Sequence, residues 1–177
     1  MKKIYLTTFA FLLIGIFYGQ NKKGDMDIFL QTAPYVTTND TNDFGLIAIT
    51  GIEFFASNKF SISSNFYSSN NTVFKNDSGT TIRSYGILVT GQYYFLNLER
   101  WKAYGQTGFG YGIDNYSSIN IDNSGLFLWT VGAGANYSLT EKLYLKLLIP
   151  YFNAKNTTRD LTAANGVTAF LGLGYKF

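Results

Sequence analysis

The C-terminal stretch Val167-Thr-Ala-Phe-Leu-Gly-Leu-Gly-Tyr-Lys-Phe177 decides the fold, because its side chains alternate in character along the chain. The odd-numbered positions hold only apolar residues and end in an aromatic residue, Phe177. The even-numbered positions hold Thr, Phe, Gly, Gly and Lys. An alternation with period two places the two sets on opposite faces of a β-strand. We therefore expect a terminal strand with one wholly apolar face.

The same alternation recurs along the chain, in segments most of which are long enough to cross a bilayer as tilted strands. It predicts eight strands, with the spans 25–33, 44–56, 59–69, 82–96, 101–113, 125–138, 142–152 and 166–177. The connections alternate between short ones and long ones rich in Asn, Asp, Ser and Thr; the short ones are 57–58, 97–100 and 139–141, and the long ones are 34–43, 70–81, 114–124 and 153–165. Such alternation is typical of bacterial outer-membrane barrels. The prediction is an all-β protein, an eight-stranded antiparallel up-and-down transmembrane β-barrel.

Aromatic residues make up 18% of the chain and charged residues only 14%, against a usual charged share of about 25%. Many of the aromatic residues fall near the predicted strand ends, where amphipathic rings suit the two interfaces of a bilayer. We expect a girdle that includes Trp101, Trp129, Tyr137, Tyr151 and Tyr175. The alternative is the aromatic core of a soluble β-sandwich, which would have no need for the loop asymmetry or the terminal Phe.

The N-terminus carries the pattern of a secretory signal peptide. Lys2 and Lys3 precede an apolar run from Ile4 to Tyr18, which is short for a membrane-spanning helix. We expect residues 1–19 to be removed after Gly19, which leaves 20–177 as the barrel domain. The alternative is that the segment is kept as an interfacial anchor. Without Lys2 and Lys3 the chain has 12 basic and 11 acidic residues, so no nucleic-acid partner is expected.

Three segments carry a resemblance to a known family: Gly86–Phe95, Tyr104–Gly112 and Leu171–Phe177. Their aromatic-glycine pattern resembles the small outer-membrane β-barrels related to OmpA and OmpX, over essentially the whole mature chain. The resemblance implies a monomer in the Gram-negative outer membrane, surrounded by lipid and lipopolysaccharide. It also implies that Tyr175 and Phe177 form the signal read by the barrel-insertion machinery. Members of that family are mostly structural, adhesive or protective, with no shared catalytic motif.

The chain contains no His and no Cys. This removes the commonest general base, the commonest transition-metal ligand and the thiol nucleophile. We expect no catalytic site, no cofactor and no metal, although a paired-carboxylate mechanism stays formally open. The glycine-rich runs 108–112 and 132–134 are not followed by a helix, so we interpret them as inward-facing strand glycines and not as phosphate loops.

The odd-numbered positions of the last two predicted strands are apolar. We expect these side chains to face lipid and the even-numbered ones to face the lumen. In the predicted lumen register lie four charged residues near the short-turn end, Asp27, Glu53, Lys146 and Lys176. We expect them to form one charge-paired network, because buried charges need partners. The alternative is four independently hydrated side chains. On the same grounds Leu171→Arg is expected to impair insertion far more than Gly172→Ser.

Three functional classes remain. The first is a non-enzymatic barrel with a structural or surface-interaction role through its loops, centred near Thr38, Asn76, Ile119 and Thr158. The second is a small-solute transport barrel, and the third is a soluble lipocalin-like ligand-binding barrel. We favour the first, because about eight strands leave an interior that side chains can fill and because function on such scaffolds generally lies in loops.

Overall fold

The computed structural model describes residues 21–36, 44–75, 78–116, 124–157 and 162–177. Its strands are β1 (Met26–Val36), β2 (Phe44–Phe55), β3 (Phe60–Lys75), β4 (Ser78–Asn97), β5 (Trp101–Tyr116), β6 (Ser124–Ser138), β7 (Leu143–Asn156), β8 (Thr162–Val167) and β9 (Phe170–Lys176). The last two are successive parts of one barrel strand, since both pair with β7. In the part of the chain that is described, no helix is long and apolar enough to cross a membrane.

The sheet closes on itself. Each strand from β1 to β7 pairs antiparallel with the next, and β9 lies between β7 and β1. The closing ladder runs from Asp27 opposite Lys176 to Thr32 opposite Leu171. The fold is therefore the predicted closed, eight-stranded, antiparallel up-and-down barrel.

Side chains alternate between a buried inner face and an exposed outer face on every strand. On β9, Leu171 and Leu173 are 59% and 50% exposed, while Phe170, the first residue of the strand, is fully buried. The outward direction of the odd positions on the last two strands is thus confirmed. The inner face is odd-numbered on β1 to β3 and even-numbered from β4 onwards.

The strands are longer than predicted at the long-loop end. β3 and β4 pair as far as Lys75 opposite Ser78, so most of the predicted loop 70–81 is strand. β7 likewise continues to Asn156 and pairs with β8 inside the predicted loop 153–165. Asn and Gly are weak strand formers, but a continuous partner strand overrides that local preference. The predicted loop centres Thr38, Asn76, Ile119 and Thr158 and the predicted signal peptide lie outside the described residues.

Large inward side chains fill the barrel, and several lie over glycines of the neighbouring strand. A Cβ on Gly174 would lie 2.1 Å from the ring of Tyr144, and one on Gly134 would lie 2.4 Å from the ring of Tyr104. At Gly172 a Cβ would lie 1.9 Å from the carbonyl oxygen of Leu30. Gly172→Ser would therefore also disturb the barrel, because the close approach is to backbone that has little freedom to move.

The outward register predicts a strong difference between two substitutions of Leu171. Leu171→Arg places a charge on the apolar face and should cost up to about 2–4 kcal/mol, depending on its depth in the bilayer. Leu171→Met keeps an apolar side chain of similar size and should fold normally. Folding into lipid vesicles, followed by the electrophoretic shift between folded and heated protein, measures the difference. Equal folding of the two variants would contradict the assigned register.

Candidate functional site

The most distinctive group of polar residues is a charged layer inside the barrel, near the short-turn end where β2–β3, β4–β5 and β6–β7 connect. Glu53 on β2 and Lys146 on β7 reach across the interior from well-separated strands. The Lys146 Nζ lies 2.7 Å from Glu53 Oε2, and both side chains are fully buried. Both sit on the inner face of their strands, as the alternation predicts.

Glu53 is held by three donors. Its Oε1 accepts hydrogen bonds from the Ser61 hydroxyl and the Tyr94 hydroxyl, both at 2.6 Å, while Oε2 accepts from Lys146. A buried carboxylate is costly unless it is paired and hydrogen-bonded, and this one is both. Both carboxylate oxygens of Glu53 are therefore engaged by side chains of the barrel itself.

Lys146 is enclosed by rings. Its Nζ lies 4.3 Å from the ring centroid of Phe29 and 5.0 Å from that of Tyr104, and it contacts Gln92 Oε1 at 3.5 Å. Cation–π contacts of this kind strengthen when water is absent. The charge of Lys146 is therefore balanced by one carboxylate, two ring faces and one amide oxygen.

Aromatic packing closes the same layer. The ring of Tyr94 lies 5.5 Å from Phe55 and 5.2 Å from Tyr104, centroid to centroid. These three rings come from β2, β4 and β5, and all are 0–1% exposed. Together with the ion pair they form one buried layer across the interior at this level.

The hydrogen bonds continue from this layer along the wall formed by β3 and β4. Gln92 Nε2 donates to Ser63 Oγ at 3.5 Å, and the Ser63 and Thr90 hydroxyls lie 2.6 Å apart. Asn65 Nδ2 donates to Thr90 Oγ1 and to the Leu88 carbonyl. This polar ladder ties the charged layer to the middle of the barrel.

Of the four charged residues predicted to form one network, the structure joins only Glu53 and Lys146. Asp27 is 3% exposed and lies opposite Glu53 in the β1–β2 register, but its side chain forms no ion pair. Lys176 instead pairs with Asp25, at the rim of the barrel. The single four-residue network is therefore corrected to one buried pair, because Asp25, just before β1, reaches Lys176 from the rim.

Sequence reasoning missed Lys102, whose side chain is 7% exposed at the short-turn end. Its Nζ donates to Asn21 Oδ1, across 81 residues of sequence. The even register of β5, which also turns Tyr104 and Gln106 inward, is the signal that could have found it.

The five predicted girdle residues point outward in two groups. Near the short-turn end, the rings of Trp101 and Tyr137 lie 4.8 Å apart and those of Tyr175 and Phe177 lie 5.4 Å apart. Further along the barrel, Trp129 and Tyr151 pair at 5.1 Å. Such positions suit two bilayer interfaces.

Among the described residues no group of acidic side chains could hold a metal ion.

Solved structures with the same fold include several bacterial outer-membrane barrels. The outer membrane protein OprG from Pseudomonas aeruginosa matches with a TM-score of 0.60 at 14% identity, covering 90% of this chain and 99% of that one. The N-terminal β-barrel domain of Pseudomonas aeruginosa OprF gives 0.57 at 14% identity, covering 89% and 100%. Ail, the attachment invasion locus protein of Yersinia pestis, gives 0.52 at 17% identity, covering 88% and 99%. No family model and no curated protein matches this chain.

This chain has the fold of the small outer-membrane β-barrels. The match extends over nearly the whole of each solved barrel, which confirms the predicted fold class and the resemblance seen in the sequence. The identities are low, so the likeness establishes the architecture and leaves the role of this barrel to be argued from its own residues.

The buried pair predicts non-additive effects on stability. Glu53→Gln leaves the Lys146 ammonium without its counter-charge, and Lys146→Met leaves the Glu53 carboxylate without its cation, so each should cost about 3–5 kcal/mol. The double variant Glu53→Gln/Lys146→Met removes both charges and should cost clearly less than the sum. Urea unfolding in lipid vesicles measures the free energy of unfolding.

The rim pair supplies the matched control for this cycle. Asp25→Asn breaks the ion pair with Lys176, which is partly exposed, and should cost no more than about 1 kcal/mol. Two results would contradict the stabilising role of the buried layer. One is a loss in free energy of unfolding in the double variant that equals the sum of the two single losses, and the other is single losses no larger than that of the rim variant.

Proposed function

We propose that this chain is a non-enzymatic barrel of the Gram-negative outer membrane, with a structural or surface-interaction role through its extracellular loops. The observation that carries the proposal is the filled interior. At the level of Glu53 and Lys146 the two side chains and the rings of Tyr94, Tyr104 and Phe55 occupy the cross-section. A barrel closed in this way has only its outer wall and its ends for contact with other molecules.

Transport is the second candidate, and the packing of the interior argues against it. Eight strands enclose a space just wide enough for side chains or one small ligand. Here the space holds fully buried rings along its length, among them Tyr67 and Phe152, whose centroids lie 5.2 Å apart. A solute would have to displace this packing as well as the ion pair.

Catalysis is disfavoured by the chemistry of the available side chains. The chain has neither His nor Cys, and the fully buried carboxylate of Glu53 is engaged by Ser61, Tyr94 and Lys146. The lipocalin-like alternative is disfavoured because the outer face, not the inner one, carries most of the exposed large apolar side chains, as Ile87, Phe109 and Leu171 illustrate.

Surface contact is supported by the asymmetry of the two barrel ends. The connections at the short-turn end are tight, whereas β3 and β4 extend to Lys75 and Ser78 at the other end. The fold is compatible with such a role, since Ail is named as an attachment protein. In this chain the segments 37–43, 76–77, 117–123 and 158–161 hold five acidic residues and one basic residue. The heparin analogue bound by Ail is anionic, so that ligand class is not carried over.

The remaining parts of the proposal follow from the membrane setting. The short-turn end would face the periplasm, and the segment 1–19 would direct export. Tyr175 and Phe177, adjacent to one another on the outer surface, would be read by the barrel-insertion machinery. The girdle would hold the barrel in lipid and lipopolysaccharide as a monomer.

Planar-bilayer recording tests whether the barrel is closed. The purified protein should insert without producing stable, solute-sized current steps, because the layer at Glu53 and Lys146 blocks the interior. Reproducible steps of that size, abolished by heat denaturation before insertion, would move the conclusion to transport.

Shortening the segments 37–43, 117–123 and 158–161, together with the end of the β3–β4 hairpin at Lys75 and Ser78, tests the surface role. The shortened barrel should still assemble, and cells that carry it should lose adhesion to host or neighbouring cells, or lose resistance to detergent and bile salts. Unchanged adhesion together with unchanged resistance would refute the loop-based role without affecting the closed-barrel conclusion.

A further inference from the structure

The chain makes a tight turn immediately before β1. Asp25 N donates to the Lys22 carbonyl at 3.1 Å, and Gly24 has a φ of +93°. A positive φ at the third position of a four-residue turn favours Gly or Asn. The turn is fastened to the barrel, because Gly24 N donates to the Phe55 carbonyl at 2.8 Å and Asp25 pairs with Lys176.

The turn directs Asn21 into the short-turn mouth of the barrel. Asn21 is 1% exposed, which is unusual for a polar residue outside the strands. Its Oδ1 accepts a hydrogen bond from Lys102 Nζ on the far side of the mouth. The segment 21–25 is therefore attached to the rim at one end and to the interior wall at the other; we call it the strap.

Beneath the strap lies a set of polar atoms without partners. Asp27, Lys102, Asn136 and Tyr144 line the mouth and are each at most 7% exposed. Asn136 Oδ1 and Asn21 Nδ2 have no hydrogen-bond partner among the described residues, and the Tyr144 hydroxyl lies beside the Asp27 carboxylate. Buried polar groups are rarely left unsatisfied, and ordered water is the usual partner where protein groups are lacking.

We propose that the strap is a lid that closes the short-turn mouth over a small hydrated chamber, whose floor is the layer of Glu53 and Lys146. Asn136 lies inside this chamber, since it is opposite Lys102 in the β5–β6 register and opposite Lys146 in the β6–β7 register. The chamber takes water and excludes larger polar molecules while the strap is in place.

The lid and the floor are separate barriers. The strap depends on the turn at Gly24, the contact between Asn21 and Lys102 and the rim pair of Asp25 and Lys176. The floor depends on the ion pair and rings of the charged layer. Opening the strap should therefore expose the chamber without making the barrel conduct. The proposal thus stands whether or not the barrel has the surface role.

Cysteine labelling tests the lid directly, because the chain has no Cys of its own. Asn136→Cys reports on the chamber, and Asn58→Cys in an exposed turn reports the unhindered rate. The full-length protein, purified from membranes in detergent, is treated with a charged methanethiosulfonate reagent. With the strap intact, the cysteine at position 136 should react at least about tenfold more slowly than the one at position 58.

Two matched pairs of strap variants complete the experiment. Gly24→Val strains the positive-φ turn, whereas Gly24→Asn tolerates it, and a Cβ at this position meets no atom within 4 Å. Asn21→Ala/Asp25→Ala removes both attachments, whereas Lys23→Ala changes only an exposed side chain. The first member of each pair should raise the labelling rate at position 136 about tenfold, and the second should leave it unchanged.

Two results would refute the proposal that the strap is a lid. One is fast labelling at position 136 with the strap intact, which would show an open mouth. The other is slow labelling that neither Gly24→Val nor the double variant accelerates, which would show that the strap is not the barrier. The electrophoretic heat shift confirms folding of every variant, and the Gly24 pair remains decisive if the double variant does not fold. Planar-bilayer recordings of the strap variants test separately whether the floor still blocks current.

Discussion

Backbone hydrogen bonding in hydrocarbon is the constraint on which the rest of this structure depends. No water is present there to satisfy N–H and C=O groups, so a sheet can cross a bilayer only if its first and last strands pair. In this chain β1 and β9 provide that closure, from Asp27 opposite Lys176 to Thr32 opposite Leu171. Closure divides every strand into an outer face for lipid and an inner face for the lumen, and the period-two pattern of the sequence follows directly from this division.

The closed barrel then limits what the interior can hold. Eight strands enclose little more than the volume of their own side chains. Large inward rings lie over glycines of the neighbouring strand, for example Tyr144 over Gly174 and Tyr104 over Gly134. Buried charges need partners, and Glu53 and Lys146 meet across the interior with every Glu53 oxygen bonded. This packing supports the proposal of a closed lumen and directs attention to the ends of the barrel.

Much of this architecture could be predicted from the sequence, because alternation reports the face of each residue. The strand order, the outward Leu171 and the inward Glu53 and Lys146 all follow from the alternation of odd and even positions along each strand. The alternation carries no information on which inward charges meet, so it cannot tell that Lys176 pairs with Asp25 in the turn before β1. The alternation also carries no information on the space around each residue. It cannot show that a side chain at Gly172 would meet the Leu30 carbonyl. The strand extensions to Lys75 and Asn156 depend on pairing with a neighbour that local composition does not reveal.

The closing seam between β1 and β9 is the feature whose measurement tests the account most directly. Leu30 lies opposite Leu173 in this seam, and the chain has no native Cys that could compete. Directly opposite Cβ atoms lie about 4.5–5.5 Å apart, close to the separation that a disulfide needs. The account predicts that Leu30→Cys/Leu173→Cys forms an intramolecular disulfide on mild oxidation of the folded protein, whereas Leu30→Cys/Leu171→Cys, two residues out of register, does so far more slowly. Equal cross-linking of the two pairs, or cross-linking of neither, would contradict the closed barrel in this register.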